Sequence, residues 1–154
     1  MATKLFIDTW GWLTLHDRSE RYHQEATEAY QRAIAQNGQI YTTDYVLDET
    51  ITFFFRRLAA PLADQSMKVL LSAFSADHFY LIRITEERFS LTEAFHSKFI
   101  DKPLISFTDL TSIVVMQEFS IKTILTADAH FTHVGMQYGS DKIPPPAATP
   151  FKRG

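Results

Sequence analysis

Short apolar runs alternate with helical stripes along the chain, and this alternation predicts a parallel sheet with crossover helices. The runs that predict strands occupy positions 5–7, 39–42, 79–84 and 122–126. Positions 134–137 give a weaker signal for a short fifth strand, because Gly135 falls inside it. The stretches between the runs carry apolar residues at helical spacing. We therefore expect an α/β fold with four or five parallel strands.

Six helices are predicted around these strands. The first is short, from Trp10 to His16, and Asp17-Arg18-Ser19 offers caps for a second helix that stops at Asn37-Gly38. The third begins at Thr42, Thr43 or Asp44, and Pro61 breaks it. Its expected buried stripe consists of Leu47, Ile51, Phe54, Phe55 and Leu58.

The remaining three helices follow the same logic. The fourth carries a stripe that is expected to be buried, at Ala63, Met67, Leu70, Leu71 and Phe74. The fifth begins at Thr85 and places Leu91, Phe95 and Phe99 on one side. The sixth begins at Ser106 or Thr108 and is apolar nearly all round, so we expect neighbours to pack on more than one of its sides.

The bulk composition is that of one ordinary globular domain. The chain has 154 residues, of which 45% are hydrophobic and 21% charged. We expect a single folded domain over residues 1–140 and an extended or disordered tail over 141–154, where three prolines follow one another. No apolar run is long enough to span a bilayer, and no signal region opens the chain. The lack of cysteine excludes thiolate metal sites and fits a cytoplasmic protein.

Net charge leaves nucleic-acid binding open. The formal net charge is -3 at pH 7, whereas proteins that coat nucleic acids usually carry a positive balance. A nuclease can be acidic overall if its carboxylates are concentrated in one metal site. We therefore treat the charge as neutral evidence.

Four acids are expected at one edge of the sheet. Asp8 directly follows the first strand and Asp128 closely follows the fourth. Glu49 lies in the first two turns of the helix after the second strand, and Asp109 lies in the first turn of the helix before the fourth strand. Crossover helices begin where parallel strands end, so all four project toward the carboxyl edge.

Clustered carboxylates indicate a site for a hard cation. Without cations the four acids would repel one another, and all-oxygen ligands suit Mg²⁺ or Mn²⁺. Such ions assist the hydrolysis of phosphodiesters. Each acid also has a structural alternative. Asp8 and Asp128 could cap the helical turns that follow them, Glu49 could be a solvated acid near a helix start, and Asp109 completes Ser106-x-x-Asp109, which is close to a capping box.

The segments around these acids resemble the PIN-domain ribonucleases, including the VapC-type toxins of bacterial toxin–antitoxin pairs. The resemblance covers about Lys4 to Gln137. It is carried by Phe6-Ile7-Asp8-Thr9, Val46-Leu47-Asp48-Glu49, Ser106-Phe107-Thr108-Asp109 and Leu125-Thr126-Ala127-Asp128. The four acids recur in the family's order, Asp, Glu, Asp, Asp.

The resemblance implies a three-layer α/β/α fold and an endoribonuclease that depends on Mg²⁺ or Mn²⁺. It assigns Asp8, Glu49, Asp109 and Asp128 as the catalytic metal ligands. Thr9 and Thr126 match the hydroxyl positions beside the first and last acids, and we expect them to support those carboxylates. The implied partners are an RNA substrate and a small antitoxin protein, and a homodimer is an open alternative.

Several residues near the acids remain undecided between two roles. Arg56, two turns after Glu49, is either a solvated arginine or a contact to an RNA phosphate. Phe53 lines the rim of the site or a protein contact, and Trp10 and Trp12 either stack on bases or pack in the core or a dimer. Asp48 is left out of the site, since neighbours on a helix point about 100° apart.

Three other functions compete with a toxin ribonuclease. One is a housekeeping nuclease that processes RNA. Another is a module that keeps the fold but binds RNA or protein without catalysis. The third is a phosphatase with an aspartyl nucleophile, which usually needs a second acid two residues after the first, where this chain has Trp10.

Overall fold

A computed structural model describes residues 3–100 and 105–126 of the chain. Within these residues the sheet has four parallel strands, in the order β3-β2-β1-β4. The strands are β1 (Lys4–Ile7), β2 (Gln39–Thr43), β3 (Phe79–Ile82) and β4 (Thr123–Leu125). Leu5 pairs with Ile40 on one side and with Thr123 on the other. The predicted α/β fold with a central parallel sheet is confirmed.

Six α-helices connect the strands in the described part of the chain. They are α1 (Thr9–His16), α2 (His23–Ala35), α3 (Asp44–Arg57), α4 (Ala60–Ala73), α5 (Glu86–His96) and α6 (Phe107–Glu118), with a 3-10 turn at Ser97–Phe99. None of these helices is long and apolar enough to cross a membrane. The predicted fifth strand and the tail over 141–154 lie outside the described residues.

The core lies around the two central strands. Phe6 and Ile7 of β1 and Ile40 of β2 are fully buried, and so are Ile124 and Leu125 of β4. The sixth helix is buried continuously from Asp109 to Met116, which confirms its packing on more than one side. The edge strand β3 is only half-buried, and it ends two residues earlier than its apolar run predicted.

Helix ends agree with the sequence where a side chain makes the cap. Thr43, Thr85 and Ser106 each accept a hydrogen bond from a backbone N–H in the first turn of α3, α5 and α6. Asn37 adopts a left-handed φ of 56° after α2, as the predicted helix stop requires. Pro61 lies in the first turn of α4, whereas α3 has already ended at Arg57.

Four details of the predicted helices are wrong. Asp17 does not cap α2, which begins only at His23; it follows α1 as its C-cap residue. Phe55, Leu71 and Leu91, placed on buried stripes, are 48%, 45% and 51% exposed. The buried positions beside them are Phe53, Leu70 and Thr92. The neighbours that each helix meets in the fold choose the buried face, and periodicity alone does not contain that information.

Candidate active site

The order of the strands locates the candidate site. The chain passes outward from β1 to β2 and β3, and then returns to place β4 on the other side of β1. Ligands of parallel α/β sheets bind beyond the carboxyl ends of the strands at such a reversal. Asp8 is the residue that follows β1, and Thr126 follows β4. Both residues therefore lie at the reversal point.

Asp8 is held from two sides. It is 3% exposed and caps α1, since its Oδ1 accepts a hydrogen bond from the backbone N–H of Gly11 at 2.7 Å. Its Oδ2 accepts a hydrogen bond from the hydroxyl of Thr126. Asp8 therefore does act as a helix cap, as the structural alternative proposed. This role is compatible with a functional one, because the same carboxylate also contacts Thr126 at the end of β4.

Glu49 is tied to the end of β1 by a neighbouring threonine. The hydroxyl of Thr9 donates to Glu49 Oε1 at 2.7 Å, although forty residues separate the two along the chain. Glu49 is half-buried in the second turn of α3. Thr9 therefore contacts the second predicted acid, whereas the sequence had associated it with the adjacent Asp8. Through Thr9, the carboxylate on α3 is fixed to the first residue of α1, one position after Asp8.

Asp109 forms the capping box that its sequence context suggested. The backbone N–H of Asp109 donates to Ser106 Oγ at 3.0 Å, and the backbone N–H of Ser106 donates to Asp109 Oδ2 at 3.1 Å. The side chain is 6% exposed. Its orientation is therefore fixed by the start of α6. Asp128, the fourth predicted acid, lies outside the described residues, two positions after Thr126.

An open cavity of about 450 Å³ lies beside Glu49. Six of its described lining residues belong to α3 and one to α6, and they are Tyr45, Asp48, Glu49, Thr52, Phe53, Arg56 and Thr108. Thr108 directly precedes Asp109 and brings the start of α6 to the same opening. Asp48, which helix geometry had left out of the site, also borders this cavity.

The undecided residues have clear positions. Arg56 is exposed and borders the cavity, with its guanidinium carbon 5.7 Å from the centre of the Phe53 ring. Phe53 is 7% exposed and so forms a wall of the cavity. Trp10 and Trp12 are both buried in the core, and the indole N–H of Trp12 donates to Thr42 Oγ1. Neither tryptophan is available to stack on a base.

Sequence reasoning missed three residues of the cavity, Tyr45, Thr52 and Thr108. For Tyr45 and Thr52 the signal was present, since they lie four residues before and three residues after Glu49 on the same helix. The same spacing had drawn attention to Phe53 and Arg56. Thr108 was considered only as a possible start of the sixth helix. Asp44 was considered only as a cap, but its carboxylate accepts a hydrogen bond from the backbone N–H of Ile84 at 2.9 Å. It thereby ties α3 to the segment after β3.

The donor set suits a hydrated hard cation. Within residues 3–100 and 105–126, no three acidic or histidine side chains form a group that could together ligate one metal ion. Mg²⁺ does not need such a cage, because it keeps several waters and uses one or two carboxylates together with substrate phosphates. Asp8 and Asp109 are buried carboxylates, and a nearby cation would offset the cost of burying their charge. The residues present therefore fit Mg²⁺ or Mn²⁺.

Comparison with known proteins identifies the class to which this fold and site belong. The family model for the PIN domain matches residues 5–136. The chain belongs to the PIN domain family. No curated protein matches the sequence.

Solved structures share this fold at low sequence identity. The VapC20 toxin of Mycobacterium tuberculosis, described as cleaving the sarcin-ricin loop, has a TM-score of 0.75 and 21% identity, over 88% of this chain and 98% of that one. VapBC2 from Rickettsia felis, bound to a DNA fragment from its promoter, has a TM-score of 0.63 and 13% identity over 86% and 93%. FitAcB from Neisseria gonorrhoeae has a TM-score of 0.63 and 12% identity over 89% and 97%. At these identities the likeness establishes the fold alone.

Proposed function

We propose that this protein is an endoribonuclease that depends on Mg²⁺ or Mn²⁺. The observation that carries the proposal is the bond from Thr9 to Glu49, which fixes the α3 carboxylate to the residue that directly follows Asp8. An open cavity borders Glu49 and gives a substrate access to this carboxylate. The choice of RNA rests on the PIN family and on the described activity of VapC20, with which the chain shares its fold.

In this proposal Asp8, Glu49, Asp109 and Asp128 hold the metal. The ion, when bound, would activate water and stabilise charge on the phosphodiester. The protein contributes carboxylates whose orientation is already fixed, Asp8 by Gly11 and Thr126, Glu49 by Thr9, and Asp109 by Ser106. Fixed ligands reduce the reorganisation needed when substrate binds, which supports catalysis. Arg56 is proposed to contact a phosphate of the substrate.

The test is cleavage of a labelled RNA by the purified chain. EDTA should abolish cleavage, and Mg²⁺ or Mn²⁺ should restore it. Asp8→Asn and Asp109→Asn should remove activity while the thermal unfolding curve shows a folded protein, since an amide keeps the shape and an acceptor oxygen for each cap. Glu93→Gln, at an exposed position of α5, is the matched control and should cleave normally.

Full activity in either aspartate variant, or in EDTA, would contradict the assignment. Asp48→Asn is unsuitable as a control, because Asp48 borders the cavity. A small phosphomonoester tests the phosphatase alternative. Its hydrolysis without RNA cleavage would favour that alternative. RNA binding without cleavage at any metal concentration would favour a non-catalytic module.

We also propose that the protein is the toxin of a toxin–antitoxin pair and that a small protein partner inhibits it. The acidic side chains at the cavity, Asp48 and Glu49, form a receptor for an arginine or lysine of such a partner. Phe53 is too deeply buried to be a protruding contact for that partner, so we assign it no direct role in docking. A housekeeping RNA-processing nuclease remains the alternative if the chain is harmless in its host.

A further inference from the structure

One face of α3 forms a continuous wall of the cavity. Tyr45, Glu49, Thr52 and Arg56, which we call the α3 cavity face, are spaced by four, three and four residues and therefore lie in one row. Eleven residues at 1.5 Å per residue extend about 16 Å from Tyr45 to Arg56. The row begins at the carboxyl edge of the sheet, where α3 starts, and passes the candidate metal ligand Glu49.

The chemistry changes along this face in a manner that fits a nucleic acid strand. Tyr45, at one end, offers a half-buried aromatic ring. Arg56, at the other end, is the one cation among the described lining residues, and its guanidinium rests against the Phe53 ring. An aromatic ring can stack on an unpaired base of any identity, whereas a guanidinium binds phosphate in a bidentate manner. Glu49 lies between these two contacts.

This inference rests on the proposed function. We propose that single-stranded RNA binds along the α3 cavity face, with one base stacked on Tyr45 and a phosphate further along the strand bound by Arg56. The two residues are positioning residues that place the intervening phosphodiester beside Glu49. At a stacked spacing of about 3.4 Å per nucleotide, the face accommodates at most about five nucleotides. Stacking on Tyr45 requires an unpaired base, which selects loops and single strands over duplexes.

At the Arg56 end of the cavity, the positive charge of the guanidinium favours an RNA strand over a cationic protein segment. A peptide that presents arginine or lysine to Asp48 and Glu49 would gain nothing from the guanidinium of Arg56. The buried ring of Phe53 offers little apolar surface to such a peptide. An anionic strand uses Arg56 directly, and the bound metal of the proposed function would screen its phosphate from the acids.

The experiment measures binding of short RNAs in an Asp8→Asn background with Mg²⁺ present, because that variant is expected not to cleave and the metal screens the phosphate from the acids. Arg56→Gln should weaken binding on the order of tenfold or more, as expected for loss of a hydrogen bond to a charged group. It should also reduce the slope of log affinity against log salt by about 0.7, the value for one phosphate contact on a single strand. Lys122→Gln, at the opposite edge of the sheet where β4 begins, should change neither quantity.

Two substitutions at Tyr45 test whether its aromatic ring contributes to RNA binding. Tyr45→Leu should weaken binding at least about fivefold, and Tyr45→Phe should restore most of that loss, because stacking needs the ring and not the hydroxyl. In the cleaving enzyme both Arg56→Gln and Tyr45→Leu should raise KM more than they lower kcat. Affinity should rise with RNA length up to about five nucleotides and then level off.

Failure of this inference is distinguishable from failure of the proposed function. If the wild-type chain cleaves RNA but Arg56→Gln and Tyr45→Leu bind and cleave as it does, the α3 cavity face does not carry the strand. If these variants keep their RNA affinity but lose inhibition by the protein partner, the face belongs to that partner. A wild-type chain that does not cleave RNA under any metal condition refutes the proposed function itself.

Discussion

Asp8 accepts a hydrogen bond on each of its two carboxylate oxygens, one from a backbone N–H and one from a hydroxyl. The first bond begins α1, and the second joins the ends of β1 and β4. Because both bonds are buried, the side chain cannot turn without losing one of them. A residue that the fold holds in this way can present the same geometry to a metal in every molecule, which is the property that the proposed reaction needs.

The first prediction concerns the hydroxyl that holds Asp8. Thr126→Val keeps the shape of the side chain and removes the donor to Asp8 Oδ2. We expect the free energy of unfolding to fall by about 1–3 kcal/mol, since the buried carboxylate loses one hydrogen bond to a charged acceptor. RNA cleavage should fall about 10–100-fold and need more Mg²⁺, because the carboxylate is no longer oriented. Thr126→Ser should restore both properties. A wild-type Mg²⁺ titration in Thr126→Val would contradict the role.

The second prediction concerns His16, the last residue of α1. Its ring packs 5.0 Å from that of Phe54, and burial, followed by the nearby His23, lowers its pKa below the ordinary value of 6.5. His23, Asp17 and Arg18 border the same cavity, of about 640 Å³. The unfolded chain binds a proton at position 16 more readily than the folded one. The contribution of neutral His16 to the free energy of unfolding is therefore fully present above about pH 6.5, and it declines as the pH falls toward the lowered pKa.

Urea unfolding at several pH values measures this effect. The free energy of unfolding should decrease from about pH 7.5 to about pH 5.5 in the wild type, and His16→Gln should flatten that part of the profile. An equally steep decline in His16→Gln would assign the pH dependence to groups other than His16. His23→Gln separates the two histidines, since loss of its charge should leave a smaller decline.

At the scale of secondary structure, α1 is the element that brings β1, β4 and the site together. It crosses the strand ends so closely that its third residue must be glycine. A Cβ added at Gly11 would lie 2.7 Å from Ile7 Cγ2 and closer still to the carbonyl oxygen of Leu125. Contacts this short do not occur, so the helix would have to move away from the sheet. Because Gly11 also donates to Asp8, that movement would disturb the candidate site.

The third prediction follows from this close approach. Alanine inside a helix usually stabilises that helix by about 1 kcal/mol relative to glycine. Gly11→Ala should nevertheless destabilise the protein, because overpacking against fixed backbone costs about 1–3 kcal/mol or more. Urea unfolding measures the net effect, and RNA cleavage should fall together with stability. A Gly11→Ala protein that is more stable than the wild type would show that α1 is not packed as closely as described.

The fold was predictable because its strong signals are local. Three of the strands, β1, β2 and β4, consist mostly of buried residues, and the caps at Thr85 and Ser106 satisfy backbone groups within their own turns. The start of α2 was not predictable, because Asp17 bonds instead to Ser19 in a turn. The local sequence favours burial of Phe55 and of Phe53 equally. Only the packing of α3 against its neighbours determines that Phe53 is the buried one.

The candidate site was likewise predictable only where its signals are local. The positions of Asp8 after β1 and of Asp109 in the first turn of α6 could be predicted from strand and helix order alone. The bond from Thr9 to Glu49 could not, since it depends on how closely α3 approaches the end of β1. Asp48 was left out because neighbours on a helix point about 100° apart, and its place at the border of the open cavity depends on how the chain folds around α3.

For the whole molecule, the charge balance decides how RNA can be bound. A net charge of -3 provides no general attraction to phosphates, so affinity must come from a few local contacts. In the proposed function, the acids at the cavity would repel RNA until a metal binds, and they would attract cationic side chains of a protein partner at any time. The same cavity would then exchange a substrate and metal for an inhibitor, which suits the proposed toxin role.

The last prediction tests this biological role. Induced expression of the chain alone should arrest the growth of a bacterial host, because an uninhibited ribonuclease depletes RNA that growth requires. The Asp8→Asn form, which should fold but lose a proposed metal ligand, should not arrest growth. Co-expression of a small neighbouring gene for the inhibitor should restore growth. The restoring protein should lose potency when its arginines and lysines are replaced, since these would pair with Asp48 and Glu49.

A wild-type chain that is harmless at high expression, in its own host and without that gene, would refute the toxin role. The ribonuclease assignment would survive that result as an RNA-processing enzyme, because the cleavage assay tests it separately.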